Sequence, residues 1–208
     1  KAASTAWRRS TRGTSNARMV LDRVPKGSKY GLEEKYTEVD RLQASGDFAG
    51  ALAALDGDDS APALARKARW MGEWAKGNKD LDTDAQVAKI RESIEIAIQA
   101  VERDPEYAPG HRALAMCKGR IIDFLGTREK IQASKDLKDA IDKSLVIDPD
   151  ESASWHVLAK WNVGLGKFGW MERTAIKLIY GQLPPASYEE AIRCFERAEE
   201  CWSNSCNL

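Results

Sequence analysis

The chain has 208 residues and no net charge, because 32 acidic residues balance 32 basic ones. A hydrophobic fraction of 43% is typical of a folded protein and argues against an intrinsically disordered one. No apolar run reaches the roughly 18 residues that a membrane span needs, so we expect no transmembrane segment. The balanced charge argues against a nucleic-acid binder.

The first 30 residues differ from the rest in charge. They hold eight basic side chains and one acid, Asp22, so this arm carries +7 and residues 31–208 carry −7. A basic arm can attach to a polyanion or to a membrane surface. The alternatives are a solvated tail, a vector-derived stretch preceding a natural start at Met19, or a mitochondrial transit peptide. We divide the chain into a flexible or vector-derived arm, 1–30, and a folded domain, 31–208.

From residue 32 onward, apolar residues recur at spacings of three and four, which is typical of amphipathic helices. Asp104-Pro105 and Asp148-Pro149 are expected to end two helices, since proline disfavours helical backbone before it. Thr83-x-x-Gln86 and Ser187-x-x-Glu190 are candidate capping boxes that open two others. The pattern predicts an all-α chain of nine helices, at residues 32–44, 48–55, 60–76, 83–103, 107–125, 128–147, 152–163, 168–180 and 187–202.

These helices repeat in pairs. Tetratricopeptide repeats have a period of about 34 residues and an A-x₃-F-x₂-A core in the second helix. The last helix matches this core at Ala191, Phe195 and Ala198. The equivalent residues of the two preceding units are Leu137, Ile141 and Ser144, and before them Ser93, Ala97 and Ala100.

The first helices of the pairs align as well. His111 and Trp155 take the position of the large packing residue, and Ala115 and Ala159 that of the small residue which lets helices approach closely. The units lie 44 and 54 residues apart, both longer than the usual period. The sequence therefore predicts a tetratricopeptide-like helical-hairpin solenoid, with an inserted helix at 168–180 in the last unit.

Catalytic and metal-binding patterns are missing. Walker A, H-E-x-x-H and G-x-S-x-G motifs do not occur. The G-x-G-x-x-G at 164–169 lacks a preceding strand, so we interpret it as a break between helices. The four cysteines show no paired ligand spacing and are expected to be buried thiols, although a Cys201–Cys206 disulfide stays open. We expect no enzyme, no cofactor and no metal.

A binding surface is the remaining kind of site. In helix-pair repeats the first helices line a groove, and their positions 5, 9 and 13 point into it. The candidate partner-binding residues at these positions are Arg112, Arg120, His156 and Lys160. Such a groove can hold an acidic extended peptide through charge-assisted hydrogen bonds. The alternative is that these are ordinary exposed bases paired with nearby acids.

Several segments carry a family resemblance. They are Leu125-Gly-Thr-Arg-Glu-Lys-Ile131, Trp170-Met-Glu-Arg173, Pro184-Pro-Ala-Ser-Tyr-Glu-Glu-Ala191 and Ala198-Glu199. Together these segments resemble the regulator of microtubule dynamics family. The resemblance covers about residues 32–202. It implies a non-enzymatic tetratricopeptide-like domain that is cytoplasmic and associates with microtubules and the spindle. It also suggests the acidic C-terminal tails of tubulin as the peptide ligand.

The resemblance leaves other functions open. Some members of the family carry a membrane anchor and transfer phospholipid, so the chain could bind lipid, with its seven tryptophans walling an apolar cavity. A generic peptide-binding scaffold is a third hypothesis. The chain departs from the anchored members by lacking a hydrophobic anchor. It also stops at Leu208, before further helices that the family usually has, as a fragment would.

Overall fold

Helices make up the regular structure. The computed structural model describes residues 34–167, 173–174, 176–178 and 186–206, and within these ranges there is no β-strand. Short 3₁₀ turns cover Glu34–Tyr36 and Ile122–Phe124. The α-helices are α1 (Thr37–Ala44), α2 (Phe48–Ala53), α3 (Ala61–Gly77), α4 (Thr83–Arg103), α5 (Ala108–Ile121), α6 (Thr127–Ile147), α7 (Ser152–Gly166) and α8 (Tyr188–Cys206). The expected all-α fold is confirmed.

Most predicted helix boundaries agree with the structure to within a few residues. α7 continues to Gly166, so the first two glycines of the G-x-G-x-x-G pattern lie inside a helix. Of the predicted inserted helix, residues 173–174 and 176–178 are helical, and the rest lies outside the described residues. The basic arm, 1–30, also lies outside them.

The two predicted capping boxes have different outcomes. Ser187 accepts a hydrogen bond from the Glu190 backbone N–H at 3.1 Å, which is one half of the expected box, and the Glu190 carboxylate accepts from Arg193 at 3.0 Å. The box at Thr83 is wrong, because α4 is capped one residue earlier by Asp82, whose carboxylate accepts from the Ala85 N–H at 2.7 Å. The Gln86 amide instead donates to the carbonyl oxygen of Asn78 at 2.8 Å. The Asp82 carboxylate, one residue before Thr83, therefore caps the helix in place of the expected Thr83 hydroxyl.

Three helix pairs form the main part of the described chain. α3 packs on α4, α5 on α6 and α7 on α8, and the first helices α3, α5 and α7 also contact one another in order. The preceding short helices α1 and α2 pack together beside α3. This arrangement is compatible with the expected tetratricopeptide-like solenoid and places α3 and α5 side by side.

The loops that begin with Asp-Pro have the same hydrogen bonds. The Asp104 N–H donates to the carbonyl oxygen of Ala100, and the Asp148 N–H donates to that of Ser144. Each aspartate side chain then accepts from the N–H two residues later, at 3.0 Å and 3.2 Å. Such turns stop a helix and start the next with little chain between them. The two Asp-Pro loops, which lie 44 residues apart in the sequence, therefore have the same backbone hydrogen bonds.

The small residues predicted to let helices approach are buried. Ala115 and Ala159 have no exposed surface, and the second-helix positions Ser93, Ala97, Ala100, Ile141 and Ser144 have none either. Cys117, Cys194 and Cys201 are buried, as expected of structural thiols. The side chain of Cys206 lies outside the described part of the chain.

The prediction that Phe195 lies in the core of the last helix is wrong. Its side chain is 37% exposed, and its ring meets that of His156 edge-on, with 5.3 Å between the ring centroids. The buried face of α8 consists of Ala191, Cys194, Ala198 and Cys201. Each residue of a helix turns about 100° from the previous one. Phe195, one residue after the buried Cys194, therefore lies on the edge of the buried face.

A helix that crosses a membrane must be both long and apolar. Within the described ranges, none combines the necessary length with sufficiently apolar residues.

Candidate binding surface

The four predicted binding residues lie on two first helices and in different environments. Arg112 and Arg120 lie on α5, eight residues apart, with side chains only 17% and 13% exposed. His156 and Lys160 lie on α7 and are exposed. The structure thus puts the two arginines at the packed side of α5 and leaves the α7 pair open to water.

Arg112 and Arg120 belong to a larger group of cations. Arg66 and Arg69 of α3 lie near them, and we call these four residues the arginine cluster. Burial lowers the pKa of Arg69, the charges of Asp40 and Glu73 oppose that effect, and the charges of Arg66 and Arg120 lower the pKa further. Burial likewise lowers the pKa of Arg112 to about 9, helped by Arg69 and Arg66. Cδ of Arg120 lies against Gly72, three residues after Arg69 on α3, so the charges of α3 and α5 share one region.

Two members of the cluster have carboxylate partners of low exposure. Arg66 pairs with Asp40 of α1, with 3.1 Å between Nε and Oδ1, and its guanidinium carbon lies 4.3 Å from the centre of the Tyr36 ring. Arg112 pairs with Glu151, which is 9% exposed and precedes α7. These two ion pairs attach the cluster to α1 on one side and to α7 on the other.

The Arg112–Glu151 pair is part of a buried polar network. Glu151 also accepts a hydrogen bond from the Ser154 hydroxyl of α7. Ser154 lies 2.8 Å from the Ser144 hydroxyl of α6, which in turn is 2.8 Å from the Ala108 carbonyl oxygen of α5. Arg112 therefore helps to hold three helices together.

The other two arginines of the cluster are poorly neutralised. Arg120 has Glu73 as its nearest carboxylate, with 3.9 Å between Nη2 and Oε2, and its Nη1 is buried without a hydrogen-bond acceptor among the described residues. Arg69 makes no salt bridge with any residue in the described ranges, although its guanidinium carbon lies 5.8 Å from the centre of the Trp70 ring. Positive charge and unused N–H groups are therefore concentrated between α3 and α5.

A bare stretch of α3 backbone makes room for Arg120. A Cβ atom placed on Gly72 would lie 3.3 Å from Cδ of Arg120 and 2.9 Å from the Ser93 hydroxyl oxygen. The aliphatic part of Arg120 thus passes over Gly72, between Arg69 and Glu73 in the sequence. Glycine is required here because any side chain would push Arg120 or Ser93 away.

The remaining predicted residues contribute differently. His156 contacts Phe195 and has a pKa lowered by partial burial and by the charge of Lys160, so it is mainly neutral at pH 7. Lys160 makes no salt bridge with a described residue and extends from α7 into water. Of the two, only Lys160 adds positive charge to the surface.

The sequence predictions did not include Arg66 and Arg69. A signal for Arg69 was present, because Ala61-Pro62 and Ala108-Pro109 both begin first helices, at an offset of 47 residues. This offset aligns Ala68 with the buried Ala115, and it aligns Arg69 with Met116 at position 9 of its repeat, one of the positions expected to line the groove. The later units are offset by 44 residues, and an alignment at that offset does not match Arg69 to Met116.

The chemistry of the cluster is that of an anion site. Guanidinium groups offer several N–H donors in a plane and remain charged at neutral pH, so they bind carboxylates well. Within the described residues, no three His, Cys, Asp or Glu side chains come together as a metal site. The arginine cluster can therefore hold an acidic group.

A family model and several curated proteins are similar to this chain. The family model described as regulator of microtubule dynamics protein 1-3 matches residues 35–207. Regulator of microtubule dynamics protein 1 of Caenorhabditis elegans is 27% identical over 170 residues, 79% of this chain and 74% of that protein. Its mouse namesake is 26% identical over 172 residues, 81% of this chain and 56% of that protein.

A more distant relative is regulator of microtubule dynamics protein 3 of Xenopus laevis. It is 26% identical over 131 residues, which are 61% of this chain and 28% of that protein. The matches span about half of the mouse protein and a smaller part of the frog protein. These names describe regulation and not catalysis. Because the family model matches most of its length, the chain belongs to the regulator of microtubule dynamics family.

Proposed function

We propose that this chain is a non-enzymatic, microtubule-associated adaptor that acts in microtubule and spindle dynamics in the cytoplasm. Its ligand is the acidic C-terminal tail of tubulin, bound by the surface that runs along its first helices. The observation that carries the proposal is the arginine cluster, which has more cations than carboxylates in close contact. The names of the relatives support a link to microtubules.

The energetics favour an acidic peptide over incidental surface charge. A hydrogen bond to a charged group contributes about 1.5–3 kcal/mol when it is shielded from water. An exposed ion pair contributes about 0–1 kcal/mol. Arg120 is only 13% exposed, so a carboxylate that reaches it would fall nearer to the first case. Repeated glutamates could then pair with Arg120 and Lys160 along one extended peptide.

The first test is cosedimentation with microtubules. We expect the chain to pellet with intact microtubules, to be released by added salt, and to stay in solution when subtilisin has removed the tubulin tails. Lys160→Glu should lower the pelleted fraction because it reverses an exposed, unpaired charge on α7. Lys130→Glu is the matched control, since Lys130 is an exposed lysine of α6.

Equal pelleting with intact and tail-free microtubules would contradict the tail as ligand. Deleting residues 1–30 in the same assay separates the basic arm from the folded surface. Arg112 is unsuitable for this test, although the sequence pointed to it, because its removal would leave Glu151 buried and unpaired.

Phospholipid binding remains a prediction from the family resemblance. Two of the tryptophans that could have walled a lipid cavity are packed in the core: Trp70 has no exposed surface, and Trp161 is 6% exposed. The Trp161 indole donates to the carbonyl oxygen of Ser134 at 3.0 Å. Extraction of the purified chain followed by lipid mass spectrometry tests this alternative, and one bound phospholipid per chain would favour it over the adaptor.

A further inference from the structure

We propose that Arg69 and Arg120 together form a site for one carboxylate group of an acidic peptide, and that Glu73 occupies this site when no ligand is bound. This inference rests on the proposed function for the class of ligand. It adds which residues receive the ligand and which residue competes with it. The arginine cluster thereby divides into two structural members, Arg66 and Arg112, and two binding members.

The division follows from the partners of each arginine. Arg66 is held by Asp40 and Arg112 by Glu151, and all four of these side chains are less than one fifth exposed. An incoming acid would have to break one of those ion pairs to gain another. Arg120 has only the half-exposed Glu73, at 3.9 Å, and Arg69 makes no salt bridge within the described part of the chain, so an incoming acid gives up less there.

The strongest indication of a ligand site is Nη1 of Arg120, which is buried and has no hydrogen-bond acceptor among the described residues. A buried donor without an acceptor destabilises a fold, so an acceptor supplied by a ligand would be stabilising there. Arg69 and Arg120 also repel each other, as the pKa of Arg69 reflects. One anion between them would satisfy the donor and offset the repulsion in a single step.

Glu73 is placed to act as a weak occupant. It lies one turn after Arg69 on α3, and Oε2 is 3.9 Å from Nη2 of Arg120, beyond hydrogen-bond range. Its side chain is half exposed, so water competes for its charge. A ligand carboxylate in direct contact with Arg120 would displace Glu73 into solvent at small cost.

The geometry also explains why a peptide side chain suits the site. The aliphatic part of Arg120 passes over Gly72, where α3 has no side chain. Only a small fraction of Arg120 is open to water. A carboxylate on the flexible stem of a glutamate can reach a guanidinium of such low exposure while the peptide backbone stays in solvent.

The test measures binding of a fluorescein-labelled, glutamate-rich peptide by fluorescence anisotropy. We expect Arg69→Gln to weaken binding about tenfold or more, because it removes a charge-assisted contact. Glu73→Gln should strengthen binding by roughly twofold to fivefold, because it removes the competitor. Arg69→Lys, which keeps the charge and loses the planar donors, should fall between wild type and Arg69→Gln.

Two controls separate the site from general electrostatics. Arg91→Gln and Glu95→Gln make the same changes in net charge at exposed residues of α4. They should alter the affinity less than their counterparts at 69 and 73. Thermal unfolding of each variant checks that the fold is kept, and a purely structural role for Glu73 would lower stability without any gain in affinity.

The outcomes distinguish this inference from the proposed function. Unchanged peptide affinity in Arg69→Gln overturns the site, even if microtubules still bind through their tails. An affinity that does not rise in Glu73→Gln overturns the role of Glu73 as competitor. Peptide binding that depends on Arg69, in a chain that ignores tubulin tails, would keep the site and reject the microtubule function.

Discussion

The imidazole of His111 and the indole of Trp155 make equivalent hydrogen bonds in successive helix pairs. Nε2 of His111 lies 2.8 Å from the carbonyl oxygen of Pro105, and Nε1 of Trp155 lies 2.7 Å from that of Pro149. A carbonyl only accepts, so Nε2 of His111 carries the proton. Each ring thereby joins its first helix to the Asp-Pro loop six residues earlier. This shared role explains how histidine replaces an aromatic packing residue.

Removing either hydrogen bond should destabilise the fold by a similar amount. We expect His111→Phe and Trp155→Phe each to lower the free energy of unfolding by about 1 kcal/mol, since a proline carbonyl loses its donor. Urea denaturation followed by circular dichroism measures the change. If only one of the two variants lost stability, the rings would not be equivalent.

Arg112 should matter for stability, because it is the cation of an ion pair of low exposure. Arg112→Met leaves Glu151 buried without its cation, a change that typically costs about 3–5 kcal/mol. The double variant Arg112→Met with Glu151→Met removes both charges and should recover most of that loss. Urea denaturation of the two single variants and the double variant provides the comparison. Additive losses would show that the two side chains do not interact.

Gly72→Ala should destabilise α3 although alanine is the better helix former. The added methyl group would meet the buried Ser93 hydroxyl at 2.9 Å, while that hydroxyl donates to Ile90. Overpacking costs about 1–3 kcal/mol and helix propensity returns about 1 kcal/mol, so we expect a net loss of about 1 kcal/mol. Gly164→Ala in α7 is the control, since nothing lies within 4 Å of its Cβ position. Thermal unfolding should show the opposite sign there.

Asp58 should make stability depend on acid pH. Its carboxylate accepts from Lys35 at 2.7 Å, from the Ser60 N–H at 3.0 Å and from the Tyr36 hydroxyl at 2.8 Å. The Lys35 side chain, followed by Ser60, holds the pKa of Asp58 well below its usual range. A lowered pKa stabilises the folded state above the unfolded pKa of about 4 and loses this contribution as pH falls through the folded value.

Asp58→Asn should therefore be less stable than the wild type at pH 7, by about 1 kcal/mol. The two proteins should converge as the pH falls below about 4, because protonation makes Asp58 resemble asparagine. Urea denaturation at a series of pH values checks both statements. A difference that stays constant down to the acid limit would exclude the carboxylate charge as its cause.

Local signals in the sequence were sufficient for most helices. The ends of α4 and α6 follow from Asp-Pro pairs, and the close approach of first helices follows from Ala115 and Ala159. These features act within one or two turns of the chain. Phe195 was wrongly placed in the core because a motif match does not reveal which side of α8 is covered.

Only part of the binding surface could be predicted from the sequence, for a related reason. Arg112 and Arg120 were identified from their spacing on one helix, but the spacing does not show which carboxylates they meet. Glu151 comes from the loop before α7, and Asp40 from α1. Pairings between residues so distant in sequence depend on how helices pack. The distinction between an occupied and an available arginine therefore appears only in the fold.

The hydroxyl of Ser144 affects how the helix pairs would unfold. In helical-repeat proteins, stability is shared between individual repeats and the interfaces that join them. Ser144 contacts both Ala108 of α5 and Ser154 of α7, so its hydrogen bonds belong to the interfaces. Separation of the α7–α8 pair would take Ser154 from this hydroxyl and Glu151 from Arg112 at the same time. We expect mechanical unfolding of residues 108–206 to occur in a single rupture, without stepwise loss of repeats.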